Sequence, residues 1–365
     1  MIAQIRPPEP RSSPPTSLAL EAVEDDGGQT NVVVGYEDGS FALFTLKAET
    51  SEFQHRYSHE PSSNGMVSAV ALRWPYAVTM TATQRLSLYC FDDKRRTAPK
   101  LPSPRLLHSL KSHTVWPPLS TCLRLVGPNI LISIAYALPT YLSGWTVGIQ
   151  EVRLDPAGQL LDSRLASAID QHYRPLAFST QPITFHLSSP GATLATSTAT
   201  ELRHIHSKPT SLSYTHPYLL VSHPDNTLTL YLVTSTPDTL SISHGSRLWG
   251  HTSSVSGAHV GDRGKAVSVS RRGDELRVWE LEGGFASSAA RKRLATGDLS
   301  VQLRPEKRGE ARQAGLDFVS GADAGEGLAE ELTLTRGWIG FDEENVVVLR
   351  EESRGRQALV VYDFT

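Results

Sequence analysis

The chain has 365 residues, and 35 Lys plus Arg stand against 38 Asp plus Glu for a formal net charge of −3. This near-balance argues against nucleic acid or an anionic membrane as the main partner, and the length suits one large repeat-built domain or two average ones. With 39% hydrophobic residues the chain can bury a core, while 23 prolines and 27 glycines supply too many turns for a long-helix bundle.

Residues 1–16 carry five prolines (Pro7, Pro8, Pro10, Pro14, Pro15) and read as a flexible proline-rich lead-in, or equally as the remnant of a longer N-terminal region. They contain no apolar run of signal-peptide length. From Ser17 onward, short alternating runs are separated by turn residues. Residues 31–35 (NVVVG) lead through Glu37-Asp38-Gly39 into 41–46 (FALFTL), and 76–81 (YAVTMT) is followed by 86–91 (LSLYCF). The most apolar stretch, 129–142, is broken by Pro139 and is too short to span a bilayer. Further on, 218–222 (YLLVS) precedes 228–233 (LTLYLV), 266–270 (AVSVS) precedes 276–281 (LRVWEL), and 346–349 precedes 359–364 (LVVYDF). A period of two with tight turns predicts antiparallel hairpins. Helical periodicity is confined to residues 286–294.

Each unit reads as an apolar strand, a turn, and a final strand bearing an aromatic residue. Final strands end near Leu46, Phe91, Arg153, Ile205, Val233, Leu281 and Phe364, which gives seven units across 17–365. Residues 284–333, rich in Gly, Ala, Glu and Arg, read as an irregular loop or disordered insertion; without them the spacing is about 43 residues, within the roughly 40–45 of WD-type blades. Arg291-Lys292-Arg293 in this insertion reads as part of a solvated charge run, or as an import or docking signal.

The clearest unit is 250–281, GHTSSVSGAHVGDRGKAVSVSRRGDELRVWEL. It resembles a WD40 repeat: Gly250-His251 opens it, Asp262-Arg263-Gly264-Lys265 stands at its first hairpin, and Trp279-Glu280 stands where the family has Trp-Asp. The resemblance implies an all-β, seven-bladed WD40-like β-propeller with one long irregular insertion. It also implies a hydrogen-bonded network of His251, Ser268 or Ser270, Asp274 and Trp279, because a buried Trp N–H and His N–H must find acceptors. The turn aspartate usually stands six residues before the aromatic. Asp38 before Phe44 and Asp225 before Tyr231 fit this spacing, whereas Asp274 is five before Trp279. Residues 205–281 and, more loosely, 335–365 are also similar to the propeller of fungal F-box/WD-repeat proteins, in which an F-box binds the adaptor of an SCF ubiquitin ligase and the propeller holds the substrate. An F-box needs about 40 residues of helix that the proline-rich start does not supply, so an SCF adaptor is expected as a partner only if an F-box lies upstream.

If the turn aspartates lie between second and third strands, their neighbours form a protein-binding face. Its candidates are Tyr36, Glu37, His223, Pro224, Trp249, Arg271 and Arg272, with the two arginines pairing with acidic or phosphorylated groups. No catalytic, cofactor or metal site is expected. Gly264-Lys265 lacks the earlier glycine and following hydroxyl of a phosphate loop, His204 and His206 have no obvious third ligand, and no nucleophile elbow occurs. Cys90 and Cys122 read as small core residues of a protein from a reducing compartment, cytoplasmic or nuclear rather than secreted. The expected function is a non-enzymatic interaction scaffold; the alternative is a hydrolase or lyase on a propeller frame.

Overall fold

The computed structural model describes residues 13–22, 30–47, 52–92, 94, 98–112, 115–140, 144–168, 207–261, 264–270, 275–282, 300–303, 339–341, 345–352 and 356–363. They form antiparallel sheets in chain order. The first holds β1 (Pro15–Ala22), β2 (Thr30–Tyr36), β3 (Phe41–Lys47) and β4 (Glu52–His59). The second holds β5 (Val67–Arg73), β6 (Tyr76–Thr81), β7 (Arg85–Cys90) and β8 (Arg105–Lys111). The third holds β9 (Trp116–Val126), β10 (Asn129–Thr140), β11 (Gly144–Leu154) and β12 (Leu160–Ser167). In the fourth, β13 (Ser211–Thr215), β14 (Tyr218–Ser222) and β15 (Leu228–Ser235) are followed by β16 (Leu240–Ile242) and β17 (Ser246–Leu248), which pair with opposite ends of β15 as two halves of one outer strand. The fifth holds β18 (Val255–Val260), β19 (Lys265–Ser270), β20 (Leu276–Glu280) and β21 (Ser300–Leu303). The last holds β22 (Ile339–Phe341), β23 (Asn345–Glu352) and β24 (Arg356–Asp363).

This is an all-β propeller architecture, but the described residues contain five blades of four strand positions and one three-stranded sheet, not seven blades. The unit expected to end at Ile205 lies outside the described residues, as does the helical candidate 286–294. Two boundaries also change. The proline-rich lead-in does not extend to residue 16, because β1 starts at Pro15 and pairs it with Tyr36. Proline is tolerated at a strand's first residue, where a missing N–H costs least. The stretch 284–333 is not one uninterrupted insertion, because Ser300–Leu303 is the outer strand paired with β20.

The aromatic-bearing strand is the third of each four-stranded blade, not the last. A fourth follows it, polar and largely half-exposed, as in β4 (EFQHRYSH) and β12 (LLDSRLAS). Middle strands such as β2, β6 and β14 are buried on both faces, because each sits between two neighbours within its sheet and is covered above and below.

The chain divides into two units, Met1–Leu219 with Tyr231–Gly245 and Leu220–Leu230 with Ser246–Thr365. Within the first, β1 lies beside β5, β5 beside β9 and β9 beside β13, so successive first strands are neighbours, as radial packing requires. The seam between the first two sheets is aromatic: Phe41 and His59 of the first lie 5.1 and 5.2 Å from the Tyr89 ring of the second, and Tyr57 meets Phe91 edge-on at 5.7 Å. The seam between the second and third is aliphatic, with Met80, Leu86 and Leu88 against Ile130, Ile132 and Leu154. The third sheet meets the fourth through charge instead. Glu151, only 1% exposed, receives Arg124 at 3.0 Å and Arg164 at 2.7 Å, together with the hydroxyls of Ser133 (3.3 Å) and Ser235 (2.9 Å). Within the second unit, β18 lies beside β22.

Candidate protein-interaction face

The turns between second and third strands share one local design. In the first sheet, Tyr36 N–H donates to the Ser40 carbonyl (2.9 Å), and Asp38 Oδ1 accepts from Ser40 N–H (2.9 Å) and its hydroxyl (2.6 Å). Gly39 takes φ +80°, a left-handed conformation that glycine adopts without steric cost. In the fourth sheet, His223 N–H donates to the Thr227 carbonyl (3.0 Å), the Thr227 hydroxyl donates to Asp225 (2.6 Å), and Asn226 takes φ 69°. In the fifth, Ser270 N–H reaches the Glu275 carbonyl (2.9 Å), so this turn is one residue longer. Counted back from the aromatic, the place of Asp38 and Asp225 falls to Gly273, and Asp274 stands one residue nearer Trp279. Glu275 fills the place of Ser40 and Thr227, immediately before the third strand.

The expected network has its core in the fifth sheet. Trp279 Nε1–H donates to Ser268 Oγ (2.7 Å), and Ser268 Oγ lies 2.6 Å from His251 Nε2. Because the indole can only donate, the Ser268 hydroxyl is free to donate to Nε2, which leaves the histidine proton on Nδ1. That nitrogen faces Glu275 Oε2 at 3.5 Å, a long contact. Ser270 Oγ accepts from Glu275 N–H (3.1 Å) rather than joining the tryptophan. Asp274 lies outside the described residues. Ser268→Ala strands an indole N–H and an imidazole nitrogen in the interior; the expected loss is about 1–3 kcal/mol, read as a lower denaturant midpoint at unchanged slope.

The proposed face requires corrections. Tyr36, 5% exposed, packs with Val34 and Phe44, and His223, 2% exposed, holds Thr229 Oγ1 through Nε2 at 2.8 Å. Tyr36 ends and His223 follows a strand buried on both faces, so neither presents a contact surface. Glu37 is exposed in the first unit. In the second unit Pro224 is exposed and Trp249 is 53% exposed. Arg271 and Arg272 lie outside the described residues, as do Asp262, Arg263, His204, His206 and 291–293. Gly261 N–H and the Lys265 carbonyl close the expected β18–β19 hairpin at 2.9 Å. Cys90 and Cys122 form no disulfide and are half-buried rather than fully in the core.

The second unit therefore carries a ledge that the sequence only partly announced. Arg247 Cζ lies 5.2 Å from the Trp249 ring centre, while the same guanidinium pairs with Asp225 and donates through Nε to Thr227 Oγ1 (3.0 Å). Asn226 Nδ2 donates to the Thr252 carbonyl (3.3 Å), tying the 223–227 turn to the 249–252 turn. Arg247 was missed; its signal is the i, i+2 spacing to Trp249 in RLW, which places both on one side of an extended chain. Burial holds His223 and His251 down to about 4, against the pull of Asp225 and Glu275 respectively, so both are neutral near pH 7. Burial opposes ionisation of Asp225, yet the Thr227 hydroxyl and Arg247 leave its carboxyl below the usual range.

The sequence matches the F-box protein pof12 beta-propeller family over residues 1–365. A curated relative, the F-box protein pof12 of Schizosaccharomyces pombe, is 41% identical over 64 residues, which are 18% of this chain and 14% of that protein. The chain thus spans well under two thirds of the length of the curated relative it matches. Among solved structures, the WD40 beta propeller domain of Doa1 is 12% identical with a TM-score of 0.35, covering 76% of this chain and 68% of that one. The structure of U3-55K is 10% identical with a TM-score of 0.41, covering 97% and 79%. Sqt1 of Saccharomyces cerevisiae is 9% identical with a TM-score of 0.36, covering 78% and 86%.

Proposed function

This chain belongs to the F-box protein pof12 beta-propeller family, and from that premise we propose that it is a non-enzymatic scaffold that holds a protein partner on the Trp249 ledge. The observation that carries this reading is the exposed indole, braced by Arg247, whose guanidinium is itself tied to Asp225 and Thr227. A large aromatic held rigidly at a surface offers contact area at little entropic cost, which is why tryptophan and arginine dominate interface hot spots. In this reading Arg271 and Arg272 add attraction for acidic or phosphorylated groups of the partner. The partner is a substrate of an SCF-type ubiquitin ligase, with coupling to the ligase adaptor supplied by an F-box. The protein works in a reducing compartment, cytoplasmic or nuclear, compatible with two cysteines that form no disulfide.

The test compares proteins recovered with tagged wild type, Trp249→Ala and the double charge reversal Arg271→Glu/Arg272→Glu. Trp249→Ala should lower recovery of at least one partner about tenfold, equivalent to about 1.4 kcal/mol, with no change in melting temperature. Charge reversal should weaken the same partner and reduce the salt dependence of its capture. Identical partner sets from all three proteins would remove the proposal.

A further inference from the structure

The ledge is a pair of loops, and its geometry depends on one buried carboxylate. Glu275 Oε2 accepts from both the backbone N–H and the hydroxyl of Thr252, each at 2.9 Å. The same oxygen faces His251 Nδ1, and Oε1 receives Arg277 Nε at 3.2 Å. Arg277 in turn donates to Ser300 Oγ (2.9 Å) and lies against Gly250, where an added Cβ would come within 3.0 Å of its guanidinium. The three residues that follow Trp249, Gly250 to Thr252, thereby meet this carboxylate or its Arg277 partner, while Asn226 reaches Thr252 from the neighbouring turn. Thr252 N–H and the Arg277 guanidinium hold the Glu275 carboxyl below its usual range, although burial opposes this.

Resting on the ledge as the partner site, we infer that Glu275 is its positioning residue: it fixes the 249–252 turn and so sets where Trp249 stands, without touching the partner. The residue before the third strand gives the reason. In the first and fourth sheets that place holds Ser40 and Thr227, whose hydroxyls donate to their own aspartates, Thr227 also accepting from Arg247. In the fifth it holds Glu275, a longer, charged side chain that spans to the 249–252 turn. This role belongs to Glu275 and not to Asp274, the turn aspartate that the family resemblance implies.

The experiment follows amide hydrogen exchange of the full chain together with partner recovery in Glu275→Ala, Glu275→Gln, Asp274→Ala and Trp249→Ala. In Glu275→Ala the Thr252 amide should exchange at least about tenfold faster while β19 amides keep their protection, because only the turn is released. Recovery of the Trp249-dependent partner should fall to the Trp249→Ala level. Glu275→Gln keeps an acceptor for Thr252 N–H and should restore most of the recovery; Asp274→Ala should behave as wild type. Unchanged Thr252 exchange in Glu275→Ala, or full loss in Asp274→Ala with none in Glu275→Ala, overturns the inference. If Trp249→Ala loses no partner, the binding reading fails, and the exchange result still judges the positioning. If Glu275→Ala does not fold, Thr252→Val, which removes only the hydroxyl bond, should give an intermediate loss of partner; wild-type recovery there also overturns it.

Discussion

Glu151→Ala is expected to destabilise the first unit by about 3–5 kcal/mol, because it leaves two partly buried guanidiniums without their carboxylate. Arg124 and Arg164 approach the two oxygens separately, and their side chains are 24% and 14% exposed. Arg164 keeps the carbonyls of Thr236 and Pro237, and Asp162 at 3.8 Å, so its positive charge is only partly answered. Among the described residues Arg124 keeps only the Ser235 hydroxyl at 3.3 Å. The effect should appear in chemical denaturation of the full chain. A companion triple variant, Glu151→Leu with Arg124→Met and Arg164→Met, should recover most of the loss, since an apolar seam avoids the desolvation penalty of all three charges. Wild-type stability in Glu151→Ala would mean that water already screens this seam.

The second large effect is acid sensitivity of the second unit. His223 and His251 are both depressed from the ordinary 6.5 to about 4, first by burial. Between these values the unfolded chain binds protons that the folded chain excludes, so stability is complete above about pH 6.5 and falls as pH drops toward 4. Each histidine contributes on the order of 3 kcal/mol across that window. The depressed carboxyls of Asp225 and Glu275 act in the same direction at lower pH, since protonating them removes their partners' acceptors. Denaturation midpoints at pH 7.0, 5.5 and 4.5, followed by tryptophan fluorescence, should decline steeply. His223→Gln should flatten that decline by one proton. A midpoint independent of pH across this range would contradict the burial of both rings.

The third strands and their aromatics could be read from the sequence because Phe44, Tyr231 and Trp279 are buried at one place in each blade. The outer strands could not. A strand such as Glu52–His59 is mostly half-exposed and carries histidine, arginine and glutamine where alternation would show apolar residues. The polar seam was equally silent, since Arg124, Glu151 and Arg164 are far apart in sequence and meet only through strand register. At the ledge, Trp249 was found because it stands beside Gly250-His251. Tyr36 and His223 were misassigned because turn proximity was equated with exposure. Glu275 was missed because the pattern points to the turn aspartate, whereas this carboxylate stands in the serine or threonine place four residues before the aromatic. In each case the local pattern specified the strand, and the side chain's surroundings depended on register across the sheet.

Photo-crosslinking tests directly whether a partner sits on the ledge. A benzoyl-phenylalanine placed at Pro224 or Thr252 should crosslink to the protein whose recovery depends on Trp249, while the same group at Leu106 or Leu161, exposed on outer strands of the first unit, should not. Crosslinks to that protein from the outer strands alone would contradict that placement.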